Sequence, residues 1–221
     1  MAYRGILFDF DGVIAKTMED NFAAWKAVLA EYDYELHPEE YFASEGEKLQ
    51  DLAARYGREA GIDPSVALEI VKKKDEYYLA HHVFGFYPGV PEFLALLVKR
   101  DIPRGLVTAG TLPRLMGSVP EGFLQQFTIC ITNETSGRGK PFPDPYLQGA
   151  QSLKLQPSEC IVIENAPIGI RSAKSAGAYC IGICSTLPRE QLSAADEIVE
   201  NFEAIKKSPN IQQLIQWKNL P

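Results

Sequence analysis

The chain alternates short, unbroken apolar runs with longer stretches that are apolar along one side only. That alternation constrains its fold more than any other feature. The runs fall at 5–10, 104–108, 127–132, 160–164, 178–184 and, more weakly, 197–199. Cys160-Ile161-Val162-Ile163 and Tyr179-Cys180-Ile181-Gly182-Ile183 carry no charged residue. Strands read this way when helices cover both faces of a parallel sheet, because neither face is left to water. Between the runs, 91–100 sets Phe93, Leu96, Leu97 and Arg100 at helical spacing, with Pro91 suited to a first turn. Likewise 167–176 groups Ile168, Ile170, Ala173 and Ala176, and Gly177 follows as a stop. The expectation is an α/β fold with a Rossmann-like parallel sheet.

One region breaks the alternation. From 18 to 82 the pattern is helical, with no convincing strand. Phe22, Trp25, Leu29 and Tyr32 form one stripe, and Val66, Ile70, Tyr77 and Leu79 a second. Asp63 stands where a helix N-cap would precede Pro64 in a first turn. An insertion directly after the first strand hangs over the carboxyl ends of the sheet, where α/β folds bind ligands. The expected division is an α/β core at 1–15 and 86–221 and an all-helical cap at 16–85.

Composition narrows the partners. The 221 residues are 46% hydrophobic and 23% charged, with a formal net charge of −7. So acidic a chain is not expected to bind nucleic acid or an anionic membrane non-specifically, and an anionic substrate would need a local positive site. No stretch reaches the 18 or so uncharged apolar residues of a membrane span. Met1-Ala2-Tyr3-Arg4 opens no signal-peptide pattern. Cys130, Cys160, Cys180 and Cys184 form no Cys-x-x-Cys pair, and read as reduced core residues of a cytoplasmic protein. A monomer is expected.

Four places carry chemistry. Asp9 and Asp11 close the first run, with Gly12 after them. On an extended strand, residues i and i+2 face the same side, so the two carboxylates would point together. They repel unless a cation or proton lies between them. Mg²⁺ takes such oxygen ligands, and an aspartate can attack phosphorus. Thr108-Ala109-Gly110 ends the second run with a hydroxyl and an open backbone, able to offer donors to a phosphate. Lys140 lies in the proline-rich Gly139-Lys140-Pro141-Phe142-Pro143-Asp144-Pro145, which restricts the backbone around a single cation. Glu164 and Asn165 end another buried run with two oxygen-bearing side chains. Singly, each has a bland reading: a polar turn, a strand-to-loop junction, a solvated lysine, an N-cap by Asn165.

In this order and spacing the four sites resemble the motifs of the haloacid dehalogenase superfamily, in the branch with a helical cap after strand one. Ala166-Pro167-x-Gly169-Ile170-x-x-Ala173-x-x-Ala176-Gly177 continues the resemblance, which covers nearly the whole chain. It implies a Mg²⁺-dependent phosphatase acting on a small-molecule phosphate ester, such as a sugar phosphate, through an aspartyl-phosphate. Asp9 would be nucleophile and metal ligand. Asp11 would be general acid and base, and a ligand through its backbone carbonyl. Thr108, Ala109 and Lys140 would hold the phosphate, and Glu164 and Asn165 would complete the metal shell. The sequence departs from the family pattern at Asn165 and Lys16, where relatives usually or often have Asp. A β-phosphoglucomutase-type phosphotransferase is the alternative. Leu49 stands where such enzymes carry an Arg for a second phosphate, and Asn21 where they tend to have a His, which favours the phosphatase. A non-catalytic phosphate-binding protein is a further alternative.

Overall fold

Six short strands pair in parallel as one sheet in the computed structural model, which describes residues 2–216. They are β1 (Gly5–Phe8), β2 (Arg104–Val107), β3 (Ile129–Ile131), β4 (Cys160–Glu164), β5 (Tyr179–Ile183) and β6 (Glu197–Val199). Their order across the sheet is β3-β2-β1-β4-β5-β6. Each lies in an expected apolar run, although β2, β3 and β5 are shorter than those runs. The period of two distributes the runs between two cores. Ile6, Phe8, Ile161 and Ile163 pack on one face with Phe93 and Phe202. Leu7 and Val162 pack on the other with Tyr146 and Ile170.

The first run departs from expectation in a way that matters. β1 stops at Phe8, not at residue 10. The Asp9 N–H still donates to the Ile163 carbonyl at 3.0 Å, and then the chain turns. The Phe10 carbonyl accepts from the N–H groups of Ile14 and Ala15 at 2.9 and 3.1 Å. Gly12 sits in this turn at φ +79°, a conformation that side chains disfavour. Asp9 and Asp11 are therefore brought together by a tight turn and not by strand alternation.

After the turn come α1 (Met18–Ala30), α2 (Pro38–Ala43), α3 (Leu49–Glu59) and α4 (Ala67–His81). They pack on one another around Trp25, Leu29, Leu52, Tyr56 and Ile70. The chain enters and leaves this block side by side: the Lys16 N–H donates to the Gly85 carbonyl at 2.8 Å, and Ala15 bridges Phe86. Asp63 does cap, accepting from the Ser65 N–H at 2.8 Å, but on a single 3₁₀ turn that precedes α4. The expected stripe on α4 is corrected. Its buried face is Ile70, Val71, Lys74, Asp75 and Tyr78, while Tyr77 and Leu79 are each 36% exposed. Two charged residues on the inner face broke the apolar pattern, because they face a polar site and not a core.

The remaining helices are α5 (Val90–Lys99), α6 (Leu112–Ser118), α7 (Asp144–Ser152), α8 (Pro167–Ser175), α9 (Phe202–Lys207) and α10 (Pro209–Gln216). Gly177 follows α8 at φ +84°, as a left-handed stop requires. Among the described residues no helix is long and apolar enough to cross a membrane. All four cysteines are free thiols; Cys160 and Cys180 are buried, Cys130 and Cys184 half-buried.

Candidate active site

The ends of β1, β2 and β4 lie side by side at the middle of the sheet, so Asp9, Thr108 and Glu164 converge there although they are far apart in the chain. This is the carboxyl edge, where a doubly wound sheet opens a crevice. Lys140 reaches the same point from the loop before α7. Its Nζ donates to Asp9 Oδ1 at 2.8 Å, to Glu164 Oε1 at 2.6 Å and to the Val107 carbonyl at 3.3 Å. Burial would lower the Lys140 ammonium, but the Asp9 and Glu164 carboxylates beside it raise it, so its charge is fixed. It is the local cation that so acidic a chain needed.

Glu164 is held from every side. Tyr146 Oη donates to its Oε1 at 2.6 Å, and the Asn165 and Ala166 N–H groups donate to Oε2 at 3.1 and 3.3 Å. The first turn of α8 can lie against this carboxylate only because position 169 is glycine; a Cβ there would overlap it. Asp9 has a different balance. Burial raises its carboxyl above the usual range, Lys140 opposes this, and Glu164 and Asp11 add to it. Its Oδ1 is taken by Lys140, and its Oδ2 receives no hydrogen bond among the described residues.

Asp11 faces a second group of partners that the sequence did not reveal. Arg114, from α6, clasps it with two bonds, Nη1 to Oδ1 at 3.0 Å and Nη2 to Oδ2 at 2.6 Å. Thr17 Oγ1 donates to Oδ1 at 2.6 Å and Asn21 Nδ2 to the same atom at 3.3 Å. Thr108 Oγ1 is 3.4 Å from Oδ2 and accepts from the Gly110 N–H at 3.0 Å. Burial alone would raise the Asp11 carboxyl; the Arg114 guanidinium and the Thr17 hydroxyl hold it down to about 2. Behind Arg114 the network runs into α4. Lys74 Nζ donates to Asn21 Oδ1 at 2.5 Å and to Asp75 Oδ1 at 3.2 Å, and Thr111 Oγ1 donates to Asp75 Oδ2 at 2.6 Å. A run of three lysines, 72 to 74, gave no hint that the third alone is buried.

Asn165 does not cap α8, whose N-cap is Ala166. Its Nδ2 donates to Thr186 Oγ1 at 2.8 Å and to the carboxylate of Glu45, which descends from the loop between α2 and α3. Thr186 Oγ1 in turn donates to Glu45 Oε2 at 3.1 Å. Burial pushes the Glu45 carboxyl well up, against the donors from Asn165 and Thr186. Asn165 Oδ1 is buried with no hydrogen-bond partner among the described residues. The unpartnered amide oxygen of Asn165 and the bare carboxylate oxygen of Asp9 are hard oxygen donors of the kind that Mg²⁺ takes.

Between the sheet edge and the helices lies a partly open cavity of about 50 Å³. Asp9, Asp11, Ala109 and Arg114 form its floor, and Trp25, Tyr41, Glu45, Glu47 and Lys74 its roof. Trp25, from the first helical stripe, and Tyr41 belong both to the helical core and to this roof.

This fold with this edge defines a class, and comparison with known proteins gives the same one. Residues 6–183 match the family model of haloacid dehalogenase-like hydrolases. The chain is 31% identical over 220 residues to hexitol phosphatase A of Escherichia coli (strain K12), covering 98% of this chain and all of that one. It is 28% identical to the β-phosphoglucomutase of Bacillus subtilis (strain 168), over 81% of this chain and 83% of that one. The crystal structure of β-phosphoglucomutase from Clostridium difficile superposes with a TM-score of 0.83 at 20% identity, covering 99% of this chain and all of that one, which shows a shared fold. The chain belongs to the haloacid dehalogenase-like hydrolase family.

Proposed function

We propose that this protein is a Mg²⁺-dependent phosphatase that hydrolyses a small phosphate monoester with an uncharged, hydroxyl-rich end, working through an aspartyl-phosphate on Asp9. The observation that carries this is the floor of the cavity: Asp9 with one bare carboxylate oxygen, a fixed cation on the other, and a second aspartate two residues on. The relatives with this chain's full length or nearly so include hexitol phosphatase A and the validoxylamine A 7′-phosphate phosphatase of Streptomyces hygroscopicus subsp. limoneus.

Asp9, Asn165 and the Asp11 backbone carbonyl would hold the metal, with Glu45 beside it; Glu164, expected from the sequence as a further ligand, has its oxygens taken by Lys140, Tyr146 and two backbone N–H groups and would act through Lys140 instead. When bound, the cation withdraws charge from the phosphoryl oxygens and from the carboxylates around them. Lys140 neutralises the repulsion between Asp9 and an anionic substrate, and Glu164 and Tyr146 keep it aimed there. Thr108 and the Ala109 backbone meet the phosphoryl oxygens. Asp9 attacks phosphorus and the alcohol leaves; water then cleaves the aspartyl-phosphate. Asp11, gripped by Arg114, stands ionised, the form required of the base in the second step. To protonate the leaving alcohol first, it must gain a proton, which an arriving phosphate dianion favours by raising its pKa.

The roof favours hydrolysis over the mutase reaction. Leu49 lines the cavity without a charge and Lys48 is engaged by the Gly137 carbonyl at 2.9 Å, so neither offers a second phosphate the grip of an Arg. Glu47 lines the roof, and a carboxylate there repels a bisphosphate while accepting from hydroxyls. The test is Mg²⁺-dependent phosphate release from hexitol and sugar monophosphates and bisphosphates, with Asp9→Asn alongside. Release that needs Mg²⁺, prefers monophosphates and vanishes in Asp9→Asn is expected. Turnover of β-glucose 1-phosphate to its isomer, or phosphate release undiminished in Asp9→Asn, would overturn it.

A further inference from the structure

The descent of Glu45 onto the core makes one contact that the proposed chemistry does not use. Glu45 is 5% exposed, lies in the loop that joins α2 to α3, and has both carboxylate oxygens engaged by core residues: Oε1 by Asn165 Nδ2 and Oε2 by Thr186 Oγ1. The contact is intimate, since Gly12 beside it leaves no room for a Cβ between the Asn165 amide and Glu45. Asn165 itself is wholly buried and neutral, and its Oδ1 has no partner. A carboxylate on one end of an amide decides which end faces away. Turned over, the amide would set Oδ1 against Glu45, oxygen against oxygen, and lose the bond to Thr186.

We infer that Glu45 is a positioning residue for the metal: from the helical block it turns Asn165 Oδ1 toward the cation and supplies, only when the block is closed on the core, the negative charge that a neutral Asn165 cannot. This rests on the Mg²⁺ site proposed above. It follows from electrostatics in both directions. A buried carboxylate close to Asp9 and Glu164 is unfavourable without a nearby cation. With one present, Glu45 is drawn down onto the core. Metal binding and closure therefore favour each other by the same factor, as any two linked equilibria must. A metal-free enzyme opens readily to substrate, and a loaded one closes over it. The charge is shared between two parts of the molecule that separate when the cavity opens, so the site is complete only when water is excluded.

The test uses the full-length protein with Mg²⁺ alone as the probe. Mg²⁺ affinity is read by calorimetry, and closure by hydrogen exchange at amides 45 to 48 with and without the metal. In the wild type, Mg²⁺ slows exchange at those amides. Glu45→Gln weakens Mg²⁺ binding about five- to tenfold and removes the Mg²⁺-dependent protection. Thr186→Val, which loosens the grip on Oε2 and leaves the charge, moves both readings the same way by a smaller amount and carries the test if Glu45→Gln folds poorly. Asn165→Asp added to Glu45→Gln restores the affinity but not the protection, because the charge then stays on the core. Affinity and protection in Glu45→Gln equal to the wild type, while the wild type binds Mg²⁺ and hydrolyses a phosphate ester, would overturn this inference alone. A wild type that binds no Mg²⁺ would overturn it together with the metal site beneath it.

Discussion

At the scale of single residues, the arrangement turns on what each carboxylate touches. Asp9 and Asp11 are two positions apart and have separate partners, Lys140 and Arg114. The Arg114 pair is a stability element as well. The Asp11 carboxyl is lowered in the fold from 3.8 to about 2. A depressed carboxyl contributes stability that is complete above the unfolded value and is lost as pH falls through the folded one. The window is thus about pH 4 down to 2, and the shift corresponds to about 2 kcal/mol. Arg114→Gln leaves Asp11 without its main partner, so it should cost about 3 kcal/mol at neutral pH. In urea unfolding at pH 6 and pH 2.5, the gap between wild type and variant should narrow at the lower pH. An unchanged gap would mean that Arg114 acts through packing alone. Asp9, Asp11, Thr108, Lys140, Glu164 and Asn165 were all legible as candidates, because their motifs are local. Arg114, Glu45 and Lys74 were not, because a charged residue on a helix or loop gives no local sign that it will be buried.

At the scale of elements, two helices show how the site shaped the sequence. α4 turns Lys74 and Asp75 inward, and Lys74 is 1% exposed. Burial, then the Arg114 charge, lowers its ammonium from 10.5 to about 8, with Asp75 opposing. Between those values the unfolded chain holds a proton that the folded one has lost, so this residue makes stability rise with pH from about 8 to 10.5, by up to about 3 kcal/mol. Lys74→Met should flatten that rise, and the difference in unfolding free energy between wild type and variant, measured at pH 7.5 and pH 9.5, checks it. α8 begins against Glu164 at Gly169. Gly169→Ala should push the carboxylate aside, costing about 2 kcal/mol. Because Glu164 aims Lys140, phosphate release should fall more than the melting temperature alone explains. Calorimetry and turnover on the same sample separate the two effects.

At the scale of the whole molecule, the cavity of about 50 Å³ lies between the sheet edge and the helices, and lifting of the helices would widen it for a sugar phosphate. The paired segments at Lys16 and Gly85 are the natural hinge, since they are the only covalent path between the two parts. Far from the hinge, Lys48 holds the closed form by donating to the carbonyls of Gly137 and Ser136, at 2.9 and 3.4 Å. Lys48→Ala should favour the open form, raising KM several-fold and leaving thermal stability within about 0.5 kcal/mol, as for an exposed contact. Steady-state kinetics with a hexitol phosphate would show it; an unchanged KM would place the closing force elsewhere.

By itself the sequence determined the sheet, the helical insertion and the four motifs, three at strand ends and one in the proline-rich loop before α7. All of these are written in short-range signals: unbroken apolar runs, a change from period two to period 3.6, and glycines and prolines at the turns. Only the tertiary structure decided which charges face one another. That Asp11 meets an arginine 103 positions away, and that Asn165 meets a glutamate 120 positions earlier in the chain, depends on the crossing of elements. Coulomb energy and desolvation follow distance in space and burial, and neither is encoded in the spacing of residues along the chain.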